Sequence, residues 1–122
     1  MPKKIVSNFF LNCFSDLLTA ARAISPFQFD AEDRTYDAGQ YTYTIDANLE
    51  PKQFPSVNLG SFLKLDTYGD QLALYYSHGD SFLCPKARST VIFLECGAKN
   101  QLKYVQELQP CTYKFVVDLI CK

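Results

Sequence analysis

One histidine, five cysteines, 13 acidic and 12 basic residues set the chemistry open to this chain. His78 stands between Ser77 and Gly79 in a His78-Gly79-Asp80 turn signal. No GxSxG, HExxH or glycine-rich phosphate loop accompanies it, so it reads as an exposed turn residue rather than a base or ligand. A carboxylate pair for glycoside hydrolysis is defined by its separation in the fold, and nothing in the sequence singles one out. Cys84, Cys96, Cys111 and Cys121 lie in the last third of the chain, while Cys13 stands apart. They form no CxxC pair, which makes a poor zinc template. Their spacing puts each at a strand end, where a disulfide to a neighbouring strand can form. Two disulfides in an oxidising compartment are therefore expected, although the sequence leaves all three pairings open. The alternative is four reduced, buried thiols in a cytosolic protein. With those cysteines paired, no activated thiol is expected among them. Binding without catalysis, and without a metal or cofactor, is the reading these residues favour.

The rest of the chain has to position such a site. Its 122 residues make one domain. The formal net charge is −1 and the Lys and Arg residues are scattered, which argues against a nucleic-acid partner. Eight Tyr and ten Phe without a Trp favour strands. Met1 to Ala23 opens with Lys3 and Lys4 and ends in Ala21-Arg22-Ala23, the outline of a secretory signal peptide. Asn8, Asn12 and Asp16 interrupt its apolar run, however. Ile5, Phe9, Cys13, Leu17 and Ala21 recur at four-residue steps beside Phe10, Phe14 and Leu18, the pattern of an amphipathic helix. A retained helix is preferred, so residues 1–25 are assigned to a helix or signal segment and residues 26–122 to a β domain. No stretch is long and apolar enough to span a membrane.

Residues 31–39 are polar and acidic and predict a loop. Tyr41, Tyr43 and Ile45 alternate with Thr42 and Thr44, the period of a half-buried strand. Pro51 and Pro55 predict an irregular segment over 50–58. Further strands are expected over 60–66, 71–77, 88–96 (buried on both faces), 102–106 and 112–120. Strand after strand with short turns indicates an all-β fold, a flattened antiparallel barrel or two-sheet sandwich with an N-terminal amphipathic helix.

Two stretches carry more. In LALYYSHGDSFLCPKARSTVIFLECG a Tyr-rich strand leads through Gly79 to Cys84, and a strand then opens at Arg88 and closes in Cys96-Gly97. In QELQPCTYKF, Glu107 precedes Cys111-Thr112-Tyr113. Upstream, YTYTIDANLEPKQ ends in Gln53, and Leu59-Gly60 follows. In this order the features resemble the mannose 6-phosphate receptor homology (MRH) domain, over about Tyr36 to Cys121. The chain is thus similar to the mannose-binding domain of the glucosidase II beta subunit or of lysosomal-enzyme receptors. The resemblance implies a mannose site built from Gln53, Arg88, Glu107 and Tyr113. It also implies disulfides Cys84–Cys111 and Cys96–Cys121, with Cys13 free or joined to another chain.

That quartet suits a pyranose, whose hydroxyls both donate and accept. Arg88 supplies only donors, Glu107 only acceptors, and Gln53 both, while Tyr113 adds a hydroxyl beside an apolar ring. Charge-assisted hydrogen bonds contribute about 1.5–3 kcal/mol each, but the site first loses its own water. One sugar should then bind at about millimolar strength, or roughly −4 kcal/mol. Each residue also has a plain reading. Arg88 pairs with Asp80 or Glu95, Glu107 is solvated, Tyr113 is core, and Gln53 is surface.

Departures from the family are visible as well. It commonly has three disulfides, yet Phe29 to Tyr36 contains no cysteine and Asp46 stands where the partner is expected. The last strand is short. Asp80-Ser81-Phe82-Leu83 offers few donors and Lys86 is the only nearby cation, so plain mannose is expected over phosphomannose. The functional expectation is a lectin module of the secretory pathway or extracellular space, binding mannose-containing N-glycans or glycoproteins and serving a protein partner chain. The alternative is a degenerate structural subunit of a larger complex without sugar binding. No Asn-x-Ser/Thr acceptor is present.

Overall fold

A computed structural model of the chain describes residues 31–46, 48–68 and 71–120. The helix or signal segment expected over 1–25 lies outside the described residues, as do Cys13 and Cys121. Among the described residues a short 3-10 turn, Ala31–Arg34, is followed by nine strands. These are β1 (Thr35–Asp37), β2 (Thr42–Ile45), β3 (Pro51–Gln53), β4 (Val57–Asn58), β5 (Ser61–Tyr68), β6 (Gln71–Ser77), β7 (Ser89–Cys96), β8 (Gln101–Gln109) and β9 (Thr112–Leu119).

Two sheets result. The smaller has the order β1-β2-β3-β4 and is antiparallel throughout. The larger has the order β5-β6-β7-β9-β8. Its β7 and β9 run parallel, so this sheet is mixed, where the chain reads as wholly antiparallel. The reason is connectivity: β8 occupies the sheet edge, and β9 turns back inside it to pair with both β7 and β8. The two-sheet arrangement holds, and no closed barrel forms.

The core lies between the sheets. Tyr43, Ile45, Leu49 and Leu59 from the smaller side meet Leu74, Tyr76, Ile92, Leu94, Phe115 and Val117 from the larger. Tyr43 stands edge-on to Phe115 with centroids 6.0 Å apart. Polar ties accompany this packing. The Tyr76 hydroxyl donates to the Leu49 carbonyl at 2.6 Å, and the Thr90 hydroxyl to the Leu59 carbonyl at 2.8 Å. At Asp46, where the resemblance leads one to expect a cysteine, a side-chain oxygen accepts the N–H groups of Asn48 and Glu50, each at 2.9 Å. A hydrogen-bonded loop thus stands in that position.

Several local expectations are corrected. Residues 31–39, expected as loop, hold the 3-10 turn and β1, because Tyr36 packs edge-on against Tyr104 of β8 at 6.1 Å. The segment 50–58, expected irregular, holds β3 and β4. Pro51 sits at the first position of its strand, where a missing N–H is tolerated, and Pro55 falls between the strands. Strand β7 is not buried on both faces. It alternates buried Thr90, Ile92 and Leu94 with half-buried neighbours. Strand β8 runs on to Gln109, and two register shifts let it continue past its apolar residues.

Candidate functional site

The smaller sheet and one end of the larger one enclose a hollow of about 280 Å³, lined in part by Gln53, Arg88, Glu107 and Tyr113. Its size lies just below the ~300–1,000 Å³ typical of drug-sized ligands and suits a single sugar ring. Gln53 ends β3, opposite Tyr43 of β2. Arg88 immediately precedes β7, and Tyr113 lies near the start of β9. Glu107 lies directly across from Tyr113 in the β8–β9 pairing, next to a register shift. These positions explain how residues spread over 61 places in the sequence reach one space.

Arg88 is 6% exposed, and its bonds are all to neutral acceptors. Nη1 donates to the backbone carbonyls of Asp80 at 3.0 Å and Phe82 at 3.1 Å, and Nε donates to the Tyr113 hydroxyl at 3.3 Å. The guanidinium also lies over the Phe82 ring, 4.7 Å from its centroid. The plain reading of Arg88 as the ion-pair partner of Asp80 or Glu95 does not hold. Asp80 engages it through its backbone carbonyl, and Glu95 pairs with Lys103 at 3.3 Å. Among the described residues no carboxylate lies within ion-pair distance of Arg88. Its Nη2 carries no hydrogen bond to the described residues and is not sealed from solvent by them.

Glu107 uses one carboxylate oxygen to accept the Cys111 N–H at 2.8 Å, which braces the tight turn into β9. Cys111 has a positive φ of 67° in that turn and is bridged to Cys84, the disulfide the resemblance implies. Cys96 is also disulfide-bonded, but Cys121, its implied partner, lies outside the described residues. The second Glu107 oxygen and the Gln53 amide have no hydrogen-bond partner among the described residues. The lining thus holds unused donors on Arg88 and an unused acceptor on Glu107, and the Gln53 amide offers either.

The phenols are neutral near pH 7. Burial, together with the Glu107 carboxylate and the Tyr113 ring, pushes Tyr43 up to about 12. Burial raises Tyr113 too, partly offset by its hydrogen bond from Arg88. Tyr43 and Tyr113 pack with centroids 5.8 Å apart, so the pocket floor is continuous with the core. Tyr113 is 2% exposed, and its reading as core is correct alongside its place in the lining.

The remaining lining is Tyr41, Phe82, Leu83, Pro110 and Cys111, which the sequence did not single out as site residues. Tyr41 carried a signal, heading the alternating run before Gln53. Phe82 and Leu83 carried none, since they belong to an irregular loop. Lys86 is exposed and outside the lining. His78 is exposed beside its neighbour Ser77, Oγ to Nδ1 at 2.8 Å, and takes no part in the hollow. No group of His, Cys, Asp and Glu among the described residues is placed to hold a metal ion. No described helix is long and apolar enough to cross a membrane.

Comparison with known proteins gives the following. Residues 22–121 match the family described as glucosidase II beta subunit-like protein. No curated protein matches the chain. Among solved structures it is similar to the MRH domain of glucosidase II beta bound to mannose, at 28% identity and a TM-score of 0.57, covering 70% of this chain and 85% of that one. A point mutant of the GBII-beta MRH domain in solution matches over the same shares, at 30% identity and a TM-score of 0.54. The MRH domain of Yos9 complexed with alpha3,alpha6-Man5 shares the fold, with a TM-score of 0.64 at 17% identity over 98% of this chain and 89% of that one.

Proposed function

The chain belongs to the glucosidase II beta subunit-like family, and from that premise we propose that it is a non-catalytic lectin module binding mannose residues of N-glycans. Gln53, Arg88, Glu107 and Tyr113 are its sugar-binding residues. One observation carries the reading: a guanidinium and a carboxylate line the same small hollow without neutralising each other. Arg88 is buried, so its guanidinium bears a desolvation cost with no ion-pair gain, while the exposed Glu107 carboxylate keeps its hydration. A ligand that both donates and accepts resolves the cost, and a pyranose hydroxyl pair does both.

The bound sugar sits with its hydroxyls toward the Arg88 Nη2 donor, the free Glu107 oxygen and the Gln53 amide, and with ring carbons against Tyr113. Plain mannose is favoured over phosphomannose, because Glu107 repels a phosphate and Lys86 lies outside the lining. The disulfide Cys84–Cys111 suits the secretory pathway lumen or the extracellular space. There the module holds glycoproteins for a protein partner chain that acts on them.

Titration with a high-mannose glycan tests this. Wild-type protein binds, while Arg88→Ala and Glu107→Gln abolish binding and Glu107→Gln keeps the thermal transition close to wild type. Unaltered binding by both variants moves the site elsewhere. A much stronger glycan-array signal for phosphorylated than for plain glycans overturns the preference.

A further inference from the structure

The hydrogen bonds of Asp80 join the two sheets where each contributes to the hollow, and from them we infer that Asp80 is a positioning residue for sugar binding, an inference resting on the lectin reading. A carboxylate oxygen of Asp80 accepts the Asn58 N–H at 2.9 Å, and the Asp80 N–H donates to the Asn58 carbonyl at 2.8 Å. Its own carbonyl accepts twice from Arg88, from the backbone N–H at 3.2 Å and from Nη1 at 3.0 Å. Asn58 closes β4, and β4 pairs with β3 so that Val57 faces Gln53. One residue thereby spans the path from the strand pair carrying the amide to the guanidinium.

Asp80 does not line the hollow, so it acts through Arg88. The approach is close enough to require glycine at the preceding position. A Cβ on Gly79 would lie 2.6 Å from the Asn58 carbonyl oxygen. With the Asp80 carboxylate removed, the Asn58 N–H loses its partner, the loop lifts from β4, and Arg88 drifts relative to Gln53. Hydrogen-bonding groups displaced by a fraction of an ångström lose most of a sugar's directional bonds.

The full chain titrated with methyl α-mannoside tests the inference. Asp80→Ala weakens binding about tenfold, whereas Asp80→Asn, whose amide oxygen still accepts from Asn58, stays within about twofold of wild type. Tyr76→Phe is the control, because it breaks a different tie between the sheets, the bond to the Leu49 carbonyl. It lowers the thermal midpoint and leaves the affinity within about twofold. Should Asp80→Ala not fold, Asp80→Glu replaces it, its extra methylene misplacing the carboxylate, with an expected loss of about fivefold. Wild-type affinity in Asp80→Ala or Asp80→Glu overturns the inference alone, as does an equal loss in Tyr76→Phe. No binding by the wild type overturns the lectin reading and this inference with it.

Discussion

Arg88 donates its Nε–H to the phenolic oxygen of Tyr113 at 3.3 Å, although 25 residues separate them in the chain. The bond forms because β7 and β9 are parallel neighbours in register, with Ser89 opposite Thr112 and Thr90 opposite Tyr113. It holds the guanidinium beside Tyr113, in the lining the two residues share. The sheet topology therefore aims the one buried cation of the site.

Tyr113→Phe removes that acceptor and the hydroxyl itself. Mannoside affinity is expected to fall about tenfold or more, and the stability by about 1 kcal/mol as Nε loses its partner. Titration and chemical denaturation measure the two effects separately. Unchanged affinity would place the phenol outside the contact.

Arg88→Lys keeps the charge but not the fork that reaches Asp80, Phe82 and Tyr113 together. Sugar binding should be lost, with a stability loss of about 1–3 kcal/mol from the unmade bonds. A lysine variant that binds as wild type would show that charge alone suffices.

Much of this is legible in the amino-acid sequence. Strands β6 and β9 follow their apolar patterns, and the Glu107, Cys111 and Tyr113 spacing marks the turn that assembles one wall of the hollow. The resemblance supplied the Cys84–Cys111 pairing. What stayed hidden depends on distant partners. Residues 31–39 look like loop because the reason for β1, the packing of Tyr36 on Tyr104, lies far along the chain. Prolines masked β3 and β4, since their tolerance at a strand's first residue is a matter of position rather than type. Phe82 and Leu83 reach the mouth of the hollow through loop geometry, including a positive φ of 60° at Leu83, which no periodicity announces.

Replacing Cys84 and Cys111 together by serine opens a bridge spanning 27 residues. The loop-closure argument gives a loss of about 3–4 kcal/mol. Sugar affinity should fall as well, because Cys111 donates to Glu107 while the loop ending at Cys84 supplies carbonyls to Arg88. Denaturant titration of the double variant gives the first quantity, and a stability within 1 kcal/mol of wild type would contradict the estimate.

Alkaline pH offers a separate test. Tyr43 ionises in the fold only near pH 12, above its ordinary value of 10, since burial opposes the phenolate. The folded state therefore holds that proton more tightly than the unfolded chain. Its contribution is complete below about pH 10 and is lost as pH rises from 10 to 12. Wild-type stability should fall across that window, and Tyr43→Phe should fall less. Identical slopes would assign the loss to other groups.

In the proposed lectin site the Gln53 amide and the Arg88 guanidinium face one sugar. An NMR titration of the isotopically labelled chain with methyl α-mannoside observes both directly. The Gln53 side-chain N–H₂ and the Arg88 Nε–H signals should shift together, in fast exchange, with a midpoint on the order of millimolar. Signals that stay in place at saturating mannoside, or shifts confined to residues away from the hollow, would contradict it.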